Sequence, residues 1–397
     1  MYREIYLLVL EAQRKFLGVM NRTPIYDSNK LGDNVFIKME NLQKTGSFKY
    51  RGAFNKISNL TDEEKARGVI ASSAGNHAQG VAKSAARQGI RSVICIPAKA
   101  PIAKIDATRS YGAEVILVDG VYDDSYKYAV KKAEEEQLTF IHPFDDEYVI
   151  AGQGTIGLEI LEDMPDVERI IVPIGGGGLC AGIAVAVKNL KPSVEVIGVE
   201  PENAASMRKA LDEGHVVELE SANTFADGIA VKKAGDLTFK IIRDLVDDVV
   251  TVTEGEIAAS ILKLLEDNKV VSEGAGAASI AALNHFDDGK KTVCVLSGGN
   301  INPNTISKII QKGLYESGRL CEITTLLKNE PGQMVKLLEM INSMGINILS
   351  LNQFTEAARN QLDSIVVRLV LETRDKDQIT EVYDHLKNEG YNYYENY

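Results

Sequence analysis

A chain of 397 residues with a formal charge of −12, 45% hydrophobic and 25% charged, has enough apolar material for two or three folded domains and no low-complexity tract. Nowhere does it carry the basic excess that a nucleic-acid backbone or an anionic membrane would demand, so neither is expected as a partner. Four scattered cysteines (Cys95, Cys180, Cys294, Cys321) form no CxxC pair and the five histidines do not cluster, which excludes a zinc site and fits buried, reduced thiols in the cytoplasm.

The apolar run Ile5–Leu10 is too short for an export signal and leads straight into charged sequence. From residue 35 to about 316, β-branched runs alternate with amphipathic segments. Strands are predicted at Val35–Lys38, Val69–Ala71, Ser92–Ile96, Glu114–Val118, Arg169–Ile174, Glu195–Val199, Val249–Val252 and Thr292–Leu296. Helices are predicted at Asn76–Gln88, Ile102–Tyr111, Asp124–Glu136, Tyr148–Glu162, Leu179–Leu190, Asp236–Leu245, Glu254–Asn268, Ala275–His285 and Asn302–Gly313. Such alternation predicts an α/β fold of parallel sheets covered by helices on both faces, with ligands at the carboxyl ends of strands. Ile170–Val187 runs 18 residues without a charge, but Pro173 and Gly175–Gly178 rule out a continuous membrane helix.

Past Glu316–Arg319 the periodicity changes. Strand Leu320–Leu327, helix Gly332–Met344, strands Ile346–Thr355 and Asp363–Leu371, helix Lys376–Glu389 and strand Tyr391–Glu395 give the order βαββαβ, a ferredoxin-like α+β arrangement. Two domains are expected, 1–317 and 320–397.

Four segments carry chemistry. The strand ending at Ile174 runs into Gly175, Gly176, Gly177 and Gly178 and then a helix start at Leu179. Consecutive amides without Cβ atoms at a helix N-terminus form a cradle for a phosphate, and no lysine follows to make a P-loop. A nucleotide would suit the cradle as well as any other phosphate. Ser73, Ala74, Gly75, Asn76 and His77 form a second strand-to-helix turn, suited to a carboxylate, or to plain helix capping. Lys49, in Lys44–Gly52, falls where a helix would begin, and burial at a positive helix end favours a free amine. Ser297, in Val295–Asn300, ends a strand and faces either a ligand nitrogen or nothing.

Together and in this order, Gly46-Ser47-Phe48-Lys49, Ser73–His77, the tetraglycine and Ser297-Gly298-Gly299-Asn300 resemble the fold-type II pyridoxal-phosphate enzymes, and among them the threonine dehydratases, over essentially the whole chain. The resemblance implies a tryptophan synthase β-like domain with two parallel-sheet subdomains. It implies pyridoxal 5'-phosphate held covalently on Lys49, with Phe48 against the ring and Asn76 on the ring hydroxyl. Gly175–Leu179 would take the phosphate, Ser297 the pyridine nitrogen, and Ser73–His77 the substrate carboxylate. The implied activity is deamination of L-threonine to 2-oxobutanoate, and of L-serine to pyruvate. Residues 320–397 resemble an ACT domain through Asn329–Met334 and Gly345–Ile348. That implies an isoleucine or valine effector near Pro331, Gly332, Gln333, Met334, Asn347 and Ile348, and a homodimer or homotetramer; a dimerisation module without ligand is the alternative.

Serine racemase is the nearest rival. Its resemblance implies a second acid–base serine where this chain has Ala74, and a divalent-metal site mapping onto Glu200, Ala204 and Ser206. Ser206 stands in place of a carboxylate, so no metal is expected. A β-replacement transferase of the cysteine synthase type fits less well, because of the C-terminal domain and the Ser-Ala-Gly-Asn-His turn.

Overall fold

The structure, a computed structural model, describes residues 1–354 and 364–395, and falls into two compact units, Met1–Ile301 and Asn302–Tyr397. Helix Pro303–Glu316, capped by Asn302, groups with the second unit, so the division comes earlier than the sequence-based boundary at 317.

In the first unit, strands with mostly apolar runs lie where both faces are covered. Arg169–Pro173 and Thr292–Leu296 are buried at every position, as parallel strands between helical layers must be. The larger sheet has six strands in the order Ile25–Asp27, Val35–Met39, Thr292–Leu296, Arg169–Pro173, Glu195–Pro201 and Asp248–Val252. All pair in parallel except Ile25–Asp27, which is antiparallel to Val35–Met39. The smaller sheet is parallel throughout, ordered Glu114–Val118, Ser92–Pro97, Val69–Ser72, Thr139–Phe140.

Helix boundaries follow local chemistry. Asp146 accepts from the amides of Tyr148 and Val149 to start helix Glu147–Asp163. Thr253 and Glu256 form a reciprocal capping box at the head of helix Glu254–Lys263. The first core joins the large sheet to helices Glu147–Asp163 and Gly178–Leu190, and a second core lies under the small sheet. No helix among the described residues is long and apolar enough to cross a membrane.

The second unit has the expected βαββαβ order, with an antiparallel sheet ordered Asn347–Phe354, Ser364–Glu372, Leu320–Lys328, Asn392–Glu395 and helices Gln333–Ser343 and Lys376–Asn388. Alternation sets its inner face: Ile365, Val367, Leu369 and Leu371 are buried, two residues apart. The predicted strand ends at Thr355 and Asp363 lie outside the described residues.

Candidate functional site

The carboxyl ends of strands from both sheets open onto one cavity of about 990 Å³ within the first unit. Lining it are Phe48, Lys49, Ser73–His77, Gly175–Leu179 and Ser297, so the structure brings together the four segments that lie far apart in sequence.

Strand pairing explains how Lys49 reaches Ser297. The amide of Phe48 donates to the carbonyl of Ser297 at 3.0 Å, that of Gly299 to the carbonyl of Gly46 at 3.0 Å, and Ser47 bridges to Gly298. Helix Lys49–Ser58 starts at the lysine itself. Its Nζ donates to the carbonyl of Pro143 at 2.9 Å and lies 5.2 Å from the Phe48 ring centroid. Burial lowers the Lys49 pKa to about 8, against the opposing attraction of Glu273. A neutral fraction raised far above that of an ordinary lysine is what an amine nucleophile or proton acceptor needs.

The tetraglycine loop leads from strand Arg169–Pro173 into helix Gly178–Leu190. Gly177 has φ +98°, a left-handed conformation that side chains rarely adopt. At Gly176 a Cβ would overlap the Phe144 ring. Among the described residues, no protein acceptor takes the amides of Gly175–Leu179. Five consecutive orphan donors at the positive end of a helix, walled so closely that no side chain fits at Gly176, suit a phosphate dianion. Thr238 Oγ1 braces the loop by donating to the carbonyl of Gly176 at 2.6 Å.

The turn after strand Val69–Ser72 repeats the theme. Gly75 heads helix Asn76–Arg87 without a side-chain cap. The amides of Ala74, Asn76 and His77 likewise have no protein acceptor among the described residues. His77 itself is 4% exposed, and its Nε2 meets the carbonyl of Ile141 at 2.9 Å. Burial and the nearby Lys49 charge push its pKa down to about 3, so the ring is neutral and its part in the turn is structural, through its amide.

Sequence reasoning missed Glu273 and Phe144, and gave Asn300 no role beyond its place in the Ser297–Asn300 motif. Glu273 is buried, and its Oε1 accepts from Asn76 Nδ2 at 2.6 Å. Burial first, and the Asp227 charge second, raise its pKa to about 7. A single acid ahead of a small-residue helix reads in sequence only as a cap. Glu200, weighed as a metal ligand, is fully buried and accepts from the amides of Met207 (2.9 Å) and Arg208 (2.8 Å). Among the described residues, no cluster of three or more His, Cys, Asp or Glu forms around it or elsewhere.

A buried lysine of lowered pKa and two turns of unpaired backbone amides around one cavity are suited to a phosphate-bearing carbonyl compound and a second anion. The family described as "Pyridoxal-phosphate dependent enzyme" matches residues 17–298, and this chain belongs to it. It is 49% identical to the L-threonine ammonia-lyase of Thermotoga maritima over 389 residues, covering 96% of this chain and 97% of that relative. Among solved structures, the processed threonine deaminase isoform 2 of Solanum lycopersicum superposes with a TM-score of 0.74 at 38% identity, over 78% of this chain and 88% of that one. Maize serine racemase superposes with a TM-score of 0.73 at 36% identity, over 78% and 97%.

Proposed function

We propose that this chain is a threonine ammonia-lyase, converting L-threonine to 2-oxobutanoate and ammonia and accepting L-serine to give pyruvate. The observation that carries this reading is the cavity, where the depressed amine of Lys49 shares one space with two sets of unpaired backbone amides.

Pyridoxal phosphate, when bound, supplies an electron sink conjugated to the substrate nitrogen, which acidifies the α-carbon. Lys49 would hold the cofactor's carbonyl carbon, and once displaced by the substrate amine would accept the α-proton. Gly175–Leu179 would grip the phosphate, Asn76 would bond the ring oxygen and Phe48 would lie against the ring. Ser297, a weak acid, would leave the pyridine nitrogen unprotonated, which favours rapid loss of the β-hydroxyl over longer-lived carbanion chemistry. The Ser73–His77 turn, through the amides of Ala74, Asn76 and His77, would hold the substrate carboxylate. Water leaves across Cα–Cβ and is returned when the resulting enamine hydrolyses, so no electrons change hands and no redox partner is needed.

Ala74 favours elimination over racemisation. Its methyl offers no proton at the position where the racemase resemblance implies a serine. Purified chain supplied with L-threonine should release 2-oxobutanoate; no keto acid from either L-threonine or L-serine would reject the lyase reading. With L-serine, pyruvate should form with negligible D-serine, and substantial D-serine would favour the racemase.

The second unit is read as an ACT-like regulatory domain. Its ferredoxin-like order supports this, and Pro331–Met334 with Asn347 and Ile348 would bind isoleucine or valine. A cytoplasmic homodimer or homotetramer completes the reading.

A further inference from the structure

One buried carboxylate in the cavity wall has no part in the chemistry above. Glu273 heads helix Gly274–Ala281 and is 4% exposed. It takes the Asn76 Nδ2 hydrogen bond at 2.6 Å, and the backbone amide of Asn300 also donates to it. On its other side, Asn76 Oδ1 accepts from Asn300 Nδ2 at 2.7 Å. The same Asn300 Nδ2 donates to the carbonyl of Thr45, also at 2.7 Å.

This chain has only one consistent polarity. A backbone carbonyl can only accept, so the amino end of Asn300 must face Thr45. With that amino group also pointing at Asn76, the oxygen of Asn76 must face it. At the opposite end Glu273, in its ionised form, only accepts, which again matches the amino end of Asn76 that the Thr45 end already sets. Orientation therefore follows from the partners at both ends rather than from the amide atoms themselves. Asn76 Nδ2 carries two hydrogens and Glu273 takes one. The other is left for the cavity that Asn76 lines.

We propose that Glu273 is a positioning residue: with Asn300 it locks the Asn76 amide so that an N–H, never the carbonyl, faces the cofactor, selecting the deprotonated form of the ring oxygen. This rests on assigning the cavity to pyridoxal phosphate and Asn76 to its ring oxygen. Without Glu273 only the Asn300 hydrogen bond opposes the amide's turning over to set its oxygen against the ring oxygen.

The test compares holoenzyme absorption spectra and pyridoxal-phosphate affinity for the wild type, Glu273→Met, Glu273→Gln and Asn300→Asp. In Glu273→Met the dissociation constant should rise about tenfold, as for one lost buried hydrogen bond. Visible absorbance should also move toward the near-ultraviolet as the ring oxygen gains a proton. Glu273→Gln keeps an acceptor for Asn76 and should retain most of the band, with affinity within about threefold. Asn300→Asp, which accepts where the native residue donates, should turn the amide over and lose the band while Glu273 is intact. Glu273→Met or Asn300→Asp with wild-type band and affinity would overturn the inference, as would a Glu273→Gln spectrum matching Glu273→Met. A wild type that takes up no cofactor would overturn the underlying assignment as well, whereas unaffected variants of a cofactor-binding wild type overturn the inference alone.

Discussion

Lys49 sits at the first turn of its helix, and its pKa is lowered from 10.5 to about 8 by burial. Only the neutral amine attacks a carbonyl. The rate at which cofactor-free chain takes up pyridoxal phosphate should therefore rise about tenfold per pH unit below 8 and level off above it. Following the visible absorbance after mixing checks this; a rate still climbing at pH 10 would place the lysine at its ordinary value. Gly176→Ala puts a methyl into the Phe144 ring. Overpacking of this kind costs about 1–3 kcal/mol, so cofactor affinity should fall about tenfold or more in a titration of the variant. The tetraglycine stood out locally as a strand running into glycines and a helix start, whereas Lys49, at a helix start, and Ser297, after a strand, were singled out by the four motifs taken together. Glu273 was not, since nothing local distinguishes a buried acid bonded to Asn76 from an ordinary helix cap.

At the level of elements, the helix that carries Lys49 is anchored two residues on. The Arg51 guanidinium is fully buried between Glu40 and Glu159, bonding Glu40 at 2.9 and 2.8 Å and Glu159 at 2.6 and 2.9 Å. Lys38 adds a second cation on Glu159 at 2.7 Å. Arg51→Met would leave two buried carboxylates with one cation between them. Breaking such a network from one side costs about 3–5 kcal/mol, so thermal unfolding should begin several degrees lower. A melting temperature equal to wild type would show that the network relaxes freely. The sequence placed the long parallel strands to within two residues, because burial of the central ones makes them continuous apolar runs and the rest are rich in β-branched residues. It missed Ile25–Asp27 and Thr139–Phe140, whose three and two residues are too short for any period to register. Helix Tyr2–Phe16 was hidden differently. Its buried face, Ile5, Val9, Ala12 and Phe16, has helical spacing, but further apolar residues between Ile5 and Leu10 blur it into a plain hydrophobic run.

The whole molecule falls into two compact units. The first gathers the site from both of its sheets, which is why no single segment of sequence identifies it. The second has the expected strand order. The regulatory reading predicts that isoleucine or valine shifts the threonine saturation curve, and that Asn347→Ala reduces the shift without altering the curve in the absence of effector. Indistinguishable curves across a panel of amino acids would leave the unit only an assembly role. The proposed catalysis depends on a covalent link between one amine and the cofactor. Borohydride reduction of the holoenzyme followed by peptide mass spectrometry reads that link directly. The account predicts the pyridoxyl-phosphate mass on Lys49 alone, and a label on another lysine, or none on an enzyme that still turns over threonine, would contradict it.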